Sequence, residues 1–313
     1  MNFYLAVTDN DWFKFLSQRT PDEVNFWQPG GNTTFKAIAP GEPFLFKLHS
    51  PYNYIVGGGF FVRHFFLPLT LAWDAFEEKN GEPNLQSLRT KIQKYRSKEG
   101  RVEPNPQIGC IILANPFFFP ESDWIDVTDF WPKNLTQGKT FHTDEEIGSR
   151  IWDQVSDRLK RQTLTPNELH PEPATISARE RYGDPYLTRP RLGQGAFRVL
   201  VTEAYDRRCA ITGEKTLPVL TAAHIKPYSQ AGPHEVRNGL LLREDLHTLF
   251  DRGYLTVTDD LHVEVSRRIK EDFGNGREYY AMHGKQLLIL PGQAGDRPAQ
   301  EYLRWHNEHV YAS

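Results

Sequence analysis

The stretch from Leu220 to Gly253 constrains this chain more than any other part of its sequence. His224 ends a short run of β-type residues, and Asn238 lies in Asn-Gly, a dipeptide typical of turns. His247 and Asp251 are four residues apart in EDLHTLFD, which predicts a short helix with both side chains on one face. The order strand, loop, strand, helix therefore places one imidazole on a strand. A second imidazole and a carboxylate lie on the helix facing it.

This arrangement suits the hydrolysis of a phosphodiester. A histidine on the strand can take a proton from water. A divalent cation held on the helix can neutralise charge on the phosphate and on the leaving oxygen. The alternative is that both histidines are ordinary core or surface residues.

The same stretch resembles the HNH nuclease family, whose domains have a ββα-metal fold. The resemblance rests on three motifs in the family's order, AAHI (222–225), NGL (238–240) and LHTLFDRG (246–253). It implies that His224 is the general base, that Asn238 braces the loop that orients this base, and that His247 is a catalytic metal ligand. By the same resemblance, Asp251 is a second ligand or a partner of the first.

One position departs from the family pattern, because many members have Asp or His as a metal ligand just before the base. This chain has Ala223 there. Either the metal has fewer protein ligands and more water, or Asp251 completes its ligand set. We expect Mg²⁺ or Mn²⁺, with Co²⁺, Ni²⁺ and Zn²⁺ as alternatives. The two cysteines, Cys110 and Cys209, form no paired knuckle, so no structural zinc is predicted.

Length and composition predict an α+β protein of about two domains. The chain has 313 residues, of which 39% are hydrophobic and 13% aromatic. Its net charge of -3 does not exclude nucleic acid, because local basic patches govern such binding. It has neither a signal-peptide pattern nor an apolar run of membrane-spanning length, so a cytoplasmic protein without membrane contact is expected. We predict domains at 1–155 and 189–313, joined by a polar, Pro-containing linker at 156–188.

The N-terminal domain shows strand patterns with helices between them, typical of a closed or half-closed sheet. Strands are predicted for FYLAVTD, GEPFLFKLHS, YIVGGGFF and IGCIILANPFFF, whereas VNFWQPGGN is predicted as a turn-rich loop. The first three strands and VNFW resemble the EVE domains of the PUA and ASCH superfamily. This resemblance implies a β-barrel-type domain that flips a modified base into an aromatic cage.

A flipped base needs rings to stack on and polar groups for its edge. The candidates for the cage are Trp27, Tyr54 and Trp124, and the candidates for reading the base edge are Asn32 and Asp126. The alternative for each aromatic residue is a place in the hydrophobic core.

The C-terminal domain opens with RLGQGAFRVL, in which apolar residues recur at helical spacing. Arg191, Gln194 and Arg198 lie on or before this helix and are candidates for contacts with DNA phosphates. The alternative is a solvated helix face. Further along, YLTVTDDLHVEVS predicts a hairpin, LLILPG a last strand and AQEYLRWHNEHV a last helix.

Together these features predict a modification-dependent restriction endonuclease of type IV or IIM. It would bind double-stranded DNA carrying 5-methylcytosine or 5-hydroxymethylcytosine, cleave it with an HNH site, and act as a homodimer. Two alternatives remain: a general HNH nuclease of RNA or DNA, toxin-like in function, and a non-catalytic nucleic-acid-binding protein.

Overall fold

A computed structural model describes residues 1–96, 103–132, 135, 137–164 and 192–312. The chain divides into two compact units, Met1–Arg191 and Leu192–Ser313. One helix, Glu146–Leu164, extends across the domain boundary predicted at residue 155. Residues 165–188 of the predicted linker lie outside the described residues, and the three predicted ranges remain predictions.

The N-terminal unit is built on one mixed sheet. Its strands are β1 (Asn2–Thr8), β2 (Glu23–Gln28), β3 (Pro43–Leu48), β4 (Tyr54–Pro68), β5 (Gln107–Phe118), β6 (Ile125–Asp126) and β7 (Gly138–His142). Its helices are α1 (Asn10–Ser17), α2 (Leu69–Phe76), α3 (Leu85–Arg96) and α4 (Glu146–Leu164). The strand order is β2-β5-β4-β3-β1-β7, with β6 paired to β4.

This sheet confirms the α+β class but not the closed barrel. β1 and β3 are parallel, whereas the other pairs are antiparallel. The end strands β2 and β7 do not pair with each other within the described ranges. The sheet is therefore open between them.

Two apolar cores lie on opposite faces of the sheet because successive strand side chains point to opposite sides. In β3, Phe44 and Phe46 belong to the core that includes α1, and Leu45 belongs to the other. The second core includes Ile151 and Val155 of α4. Because these helix residues are buried there, α4 is an integral part of the N-terminal unit.

Local sequence explains most of these elements. Asp9 caps α1, since its carboxylate accepts hydrogen bonds from the N–H groups of Asp11 and Trp12. In β4, Gly57 has φ +156°, and a Cβ there would lie 2.2 Å from the carbonyl oxygen of Phe117.

The predicted loop VNFWQPGGN was wrong in its first half, because this segment pairs with β5 as β2.

The C-terminal unit contains α5 (Gln194–Ala204), the hairpin β8 (Leu220–His224) and β9 (Gly239–Arg243), and α6 (Glu244–Asp251). A second hairpin, β10 (Leu255–Val257) and β11 (Val263–Val265), is followed by α7 (Arg268–Phe273), α8 (Arg277–Tyr280) and α9 (Gln300–His309). The predicted hairpin and last helix are confirmed. The predicted strand LLILPG was wrong, because the pairing near it is one isolated bridge between Gln286 and His262.

No helix in the described parts of the chain combines the length and the apolar character needed to cross a membrane.

Candidate active site

The β8–β9 hairpin places His224 at the end of a strand, directly opposite Gly239. Strand alternation sends Ala223 into the core, where it is fully buried, whereas Ala222 and His224 line a cavity. Gly239 is required by close packing, since a Cβ there would lie 2.4 Å from Cγ2 of Val201 on α5.

Asn238 is fully buried and holds the loop between the two strands. Its Oδ1 accepts a hydrogen bond from the N–H of Lys226 at 2.9 Å. Its Nδ2 donates to the carbonyl oxygens of Lys226 and Pro233, both at 2.9 Å. The loop that follows His224 is therefore fixed at two points by a single side chain.

Helix α6 contributes the second histidine and the carboxylate. His247 and Asp251 line the same cavity as His224, which has a volume of about 530 Å³. Nε2 of His247 lies 3.2 Å from Oδ2 of Asp251, one turn along the helix. Glu244, three residues before His247 on the same face, also lines the cavity.

The environment of His224 keeps its imidazole neutral. Burial is the main cause that lowers its pKa to about 4, and His234 and His247 lower it further. The ring of Phe197 stacks on the His224 ring at a centroid distance of 3.8 Å. A neutral imidazole can accept a proton, so this state suits a general base.

A divalent cation fits the side chains on α6. His247 offers an imidazole nitrogen and Asp251 a carboxylate, which together suit several divalent metals. Among the described residues, no three His, Cys, Asp or Glu side chains converge on one point. A cation here would thus keep water or phosphate oxygens as further ligands, as Mg²⁺ commonly does.

Two of the three predicted phosphate contacts lie at this cavity. Gln194 and Arg198, both on α5, line it beside His224. Arg191, the third candidate, lies outside the described residues.

Sequence reasoning missed two residues of this site. His234 lies in the loop between β8 and β9, and its Nδ1 is 2.9 Å from Nε2 of His224. Glu244 shares the helix face of His247 and Asp251. Glu244 lies three residues before His247, which lies four residues before Asp251, and this helical spacing could have indicated Glu244. No periodic pattern indicates His234, because it lies in a loop.

A second cavity, of about 440 Å³, lies in the N-terminal unit. Two of the five predicted base-pocket residues, Trp27 and Asn32, line it. The structure does not bring the other three there. Tyr54 and Trp124 contact each other at a ring distance of 5.8 Å, and the exposed Asp126 accepts hydrogen bonds from Thr128.

The wall of this second cavity carries the carboxylate of Asp9, the residue that caps α1. Asp9 accepts hydrogen bonds from Nζ of Lys91 at 2.9 Å and from the hydroxyl of Tyr95 at 2.8 Å. Burial alone would raise the pKa of Asp9, but hydrogen bonds from Trp12, Lys91 and Tyr95 outweigh it and lower the pKa. Trp27 is oriented by a hydrogen bond from Nε1 to the carbonyl oxygen of Asn80.

Comparison with known proteins gives a family match within the C-terminal unit. Residues 209–258 match the model of a family described as HNH endonuclease. The matched stretch contains His224, Asn238, His247 and Asp251. The expected resemblance to HNH nucleases is therefore confirmed over this region, and it indicates a nuclease. A search of curated proteins gave no match.

Solved structures give weaker likenesses. An ASCH protein from Zymomonas mobilis is 8% identical, with a TM-score of 0.33, over 48% of this chain and 94% of that one. A mutant of the same protein is 6% identical, with a TM-score of 0.33, over 49% and 97%. The modification-dependent restriction endonuclease TagI is 14% identical, with a TM-score of 0.27, over 92% and 75%. No TM-score reaches 0.5, and the fold described above does not depend on them.

Proposed function

We propose that this chain is a metal-dependent DNA endonuclease that cleaves DNA carrying a modified cytosine. The observation that carries the proposal is one cavity lined by His224, His247 and Asp251. All three belong to the stretch that matches the HNH endonuclease family.

In the proposed reaction, His224 takes a proton from the water that attacks the phosphorus atom. Its low pKa keeps a ring lone pair available at neutral pH. The bond between phosphorus and the leaving ester oxygen breaks, and that oxygen takes up a proton from water. His247 and Asp251 would hold a divalent cation, which would supply neutralisation of the charge on the phosphate and on the leaving oxygen. Arg198 and Gln194 position the DNA backbone beside them.

The N-terminal cavity is the proposed site for the modified base. Its volume of about 440 Å³ accommodates a flipped nucleobase, and its wall combines aromatic rings with a carboxylate. Trp27 and Tyr95 have ring centroids 6.1 Å apart and offer stacking faces. The exocyclic amino group of cytosine is a hydrogen-bond donor, and the carboxylate of Asp9 can accept this hydrogen bond.

The substrate of the proposed enzyme is double-stranded DNA with 5-methylcytosine or 5-hydroxymethylcytosine. Such an enzyme belongs to the type IV or IIM class of restriction endonucleases. Mg²⁺ or Mn²⁺ is the proposed cofactor, with Co²⁺, Ni²⁺ and Zn²⁺ as alternatives.

Plasmid cleavage tests this proposal. Supercoiled plasmids that are unmodified, 5-methylated or 5-hydroxymethylated are incubated with the chain and Mg²⁺, Mn²⁺ or Co²⁺, with a chelator as the control. We expect cleavage of modified plasmid that the chelator abolishes. Equal cleavage of all plasmids would indicate a general nuclease, and no cleavage with any metal would contradict a nuclease and favour a non-catalytic binding protein.

A further inference from the structure

The loop between β8 and β9 brings a second histidine against the proposed general base. Nδ1 of His234 lies 2.9 Å from Nε2 of His224, which is a hydrogen-bond distance. Nδ1 of His224 has no hydrogen-bond partner among the residues that the structure describes. The two ring nitrogens of His224 therefore have different surroundings.

Several contacts fix the position of His234. The Tyr228 ring stacks on it at a centroid distance of 4.6 Å and an interplanar angle of 14°. The backbone immediately before it is held by the hydrogen bond from Nδ2 of Asn238 to the carbonyl oxygen of Pro233. On the other side, Phe197 stacks on His224 at an angle of 13°. Tyr228 and Asn238 thus hold His234 in place, and Phe197 holds His224.

The direction of this hydrogen bond decides whether His224 can act as a base. A neutral imidazole has one N–H and one lone pair. If His234 donates, the lone pair of His224 is used at Nε2 and its proton lies on Nδ1. If Nε2–H of His224 donates to Nδ1 of His234, the lone pair lies on Nδ1 and can accept a proton from water.

We propose that His234 is a positioning residue that accepts the Nε2–H of His224 and thereby keeps the lone pair of the base on Nδ1. This inference rests on the proposed role of His224 as general base. It adds a residue that selects the active tautomer and orients the ring. In catalytic histidines, the hydrogen-bond partner of the second ring nitrogen commonly has this role.

Two substitutions separate this role from simple packing. His234→Asn keeps an acceptor, because the amide oxygen is bonded to Cγ as Nδ1 is in histidine. His234→Phe keeps an aromatic ring against Tyr228 but has no acceptor. We expect His234→Phe to lower kcat about 10- to 100-fold, the usual cost of losing such an outer partner. DNA affinity and the thermal unfolding midpoint should be unchanged.

His234→Asn should retain most of the wild-type kcat, while His309→Phe on α9 controls for replacing a histidine by phenylalanine. If the Asn and Phe variants lose activity equally while both remain folded, or if the Phe variant is as active as wild type, the proposal is wrong.

Nitrogen NMR of the full chain with isotope-labelled histidine tests the tautomer without any cleavage assay. The signals of His224 are those that disappear in His224→Ala. In the wild-type chain we expect a proton on Nε2 and none on Nδ1, and in His234→Phe a mixture of tautomers. A proton on Nδ1 in the wild type would overturn the proposal. Because the NMR measurement needs no DNA, failure of the tautomer assignment is distinguishable from failure of the nuclease function.

Discussion

Two histidines of the C-terminal unit have pKa values below the ordinary value. Burial lowers the pKa of His224 and of His306 to about 4 in each case. His306 is 2% exposed and stacks on Phe250 at 3.7 Å. It donates from Nε2 to the Phe250 carbonyl oxygen, and its Nδ1 lies 2.8 Å from the Thr256 hydroxyl. This histidine is packed as a neutral group.

His306 should make the stability of the C-terminal unit fall in acid. Its folded pKa of about 4 is below the unfolded value of 6.5, so the unfolded chain binds more protons between these pH values. The stabilisation is present above pH 6.5 and is lost as pH falls towards 4, with a total of roughly 3 kcal/mol. Unfolding midpoints measured across this range should fall less steeply for His306→Gln than for wild type.

His309→Gln, on the same helix, is the matched control and should retain the wild-type slope. Equal slopes for the wild type and His306→Gln would show that His306 does not titrate differently in the two states.

Trp27 and Tyr54 should differ in their effect on base recognition, although the sequence predicted both for the cage. Trp27 lines the N-terminal cavity, whereas Tyr54 packs on Trp124 away from it. We expect Trp27→Ala to reduce the difference in binding free energy between modified and unmodified duplex by about 1–3 kcal/mol, the value of one stacking face. Tyr54→Ala should leave that difference unchanged. If folded Tyr54→Ala weakened the discrimination and folded Trp27→Ala did not, this cavity would not be the site that recognises the base.

At the level of elements, the β8–β9 hairpin depends on one side chain, Asn238. Asn238→Ala removes three hydrogen bonds and leaves the carbonyl oxygens of Lys226 and Pro233 without this donor. The expected loss in the free energy of unfolding is roughly 1–3 kcal/mol. Cleavage should fall as well, because the loop that carries His234 is released. Chemical denaturation measures the first effect and plasmid cleavage the second.

Asn238→Asp sharpens this test, since it keeps the acceptor for the Lys226 N–H but cannot donate. It should be at least as destabilising as alanine, because a carboxylate would face two carbonyl oxygens. Wild-type stability in Asn238→Asp would mean that the donated bonds contribute nothing.

Elements with a strong local signal were predictable. The strand β1 and the last helix follow from alternation and helical period. β2 was missed because its short apolar run precedes a Pro-Gly-Gly turn and becomes a strand only by pairing with β5. LLILPG has a strand-like composition, yet the pairing beside it stops at the single bridge between His262 and Gln286, so tertiary context overrides propensity.

The site shows the same division. The placement of His224, His247 and Asp251 at one cavity was predictable because their motifs have family-like order and spacing. His234 was not, because its contact with His224 depends on the path of a loop. In the N-terminal unit, aromatic residues fill both the cores and the cavity wall. Composition alone therefore could not separate Trp27 from Tyr54.

At the scale of the whole molecule, each chain has one His224 and one His247 in its HNH motifs. One such site hydrolyses one phosphodiester at a time. The two strands of a duplex are antiparallel, so two sites related by a twofold axis would address them equivalently. We therefore propose that double-strand cleavage requires two chains.

Mixing wild-type chain with an excess of His224→Ala chain tests this requirement. Mixed dimers would have one working site, so double-strand breaks should be converted into nicks. Unchanged proportions of nicks and breaks, with activity only diluted, would rule out the dimer.

The most direct test of the proposed function is single-turnover cleavage of modified plasmid by His224→Ala, with DNA affinity measured in parallel. Loss of a general base should slow cleavage by about 100- to 10,000-fold. Affinity should be unchanged, because recognition is assigned to the N-terminal unit. His309→Ala should cleave at the wild-type rate. A near wild-type rate in His224→Ala would contradict the proposed mechanism and exclude His224 as the general base.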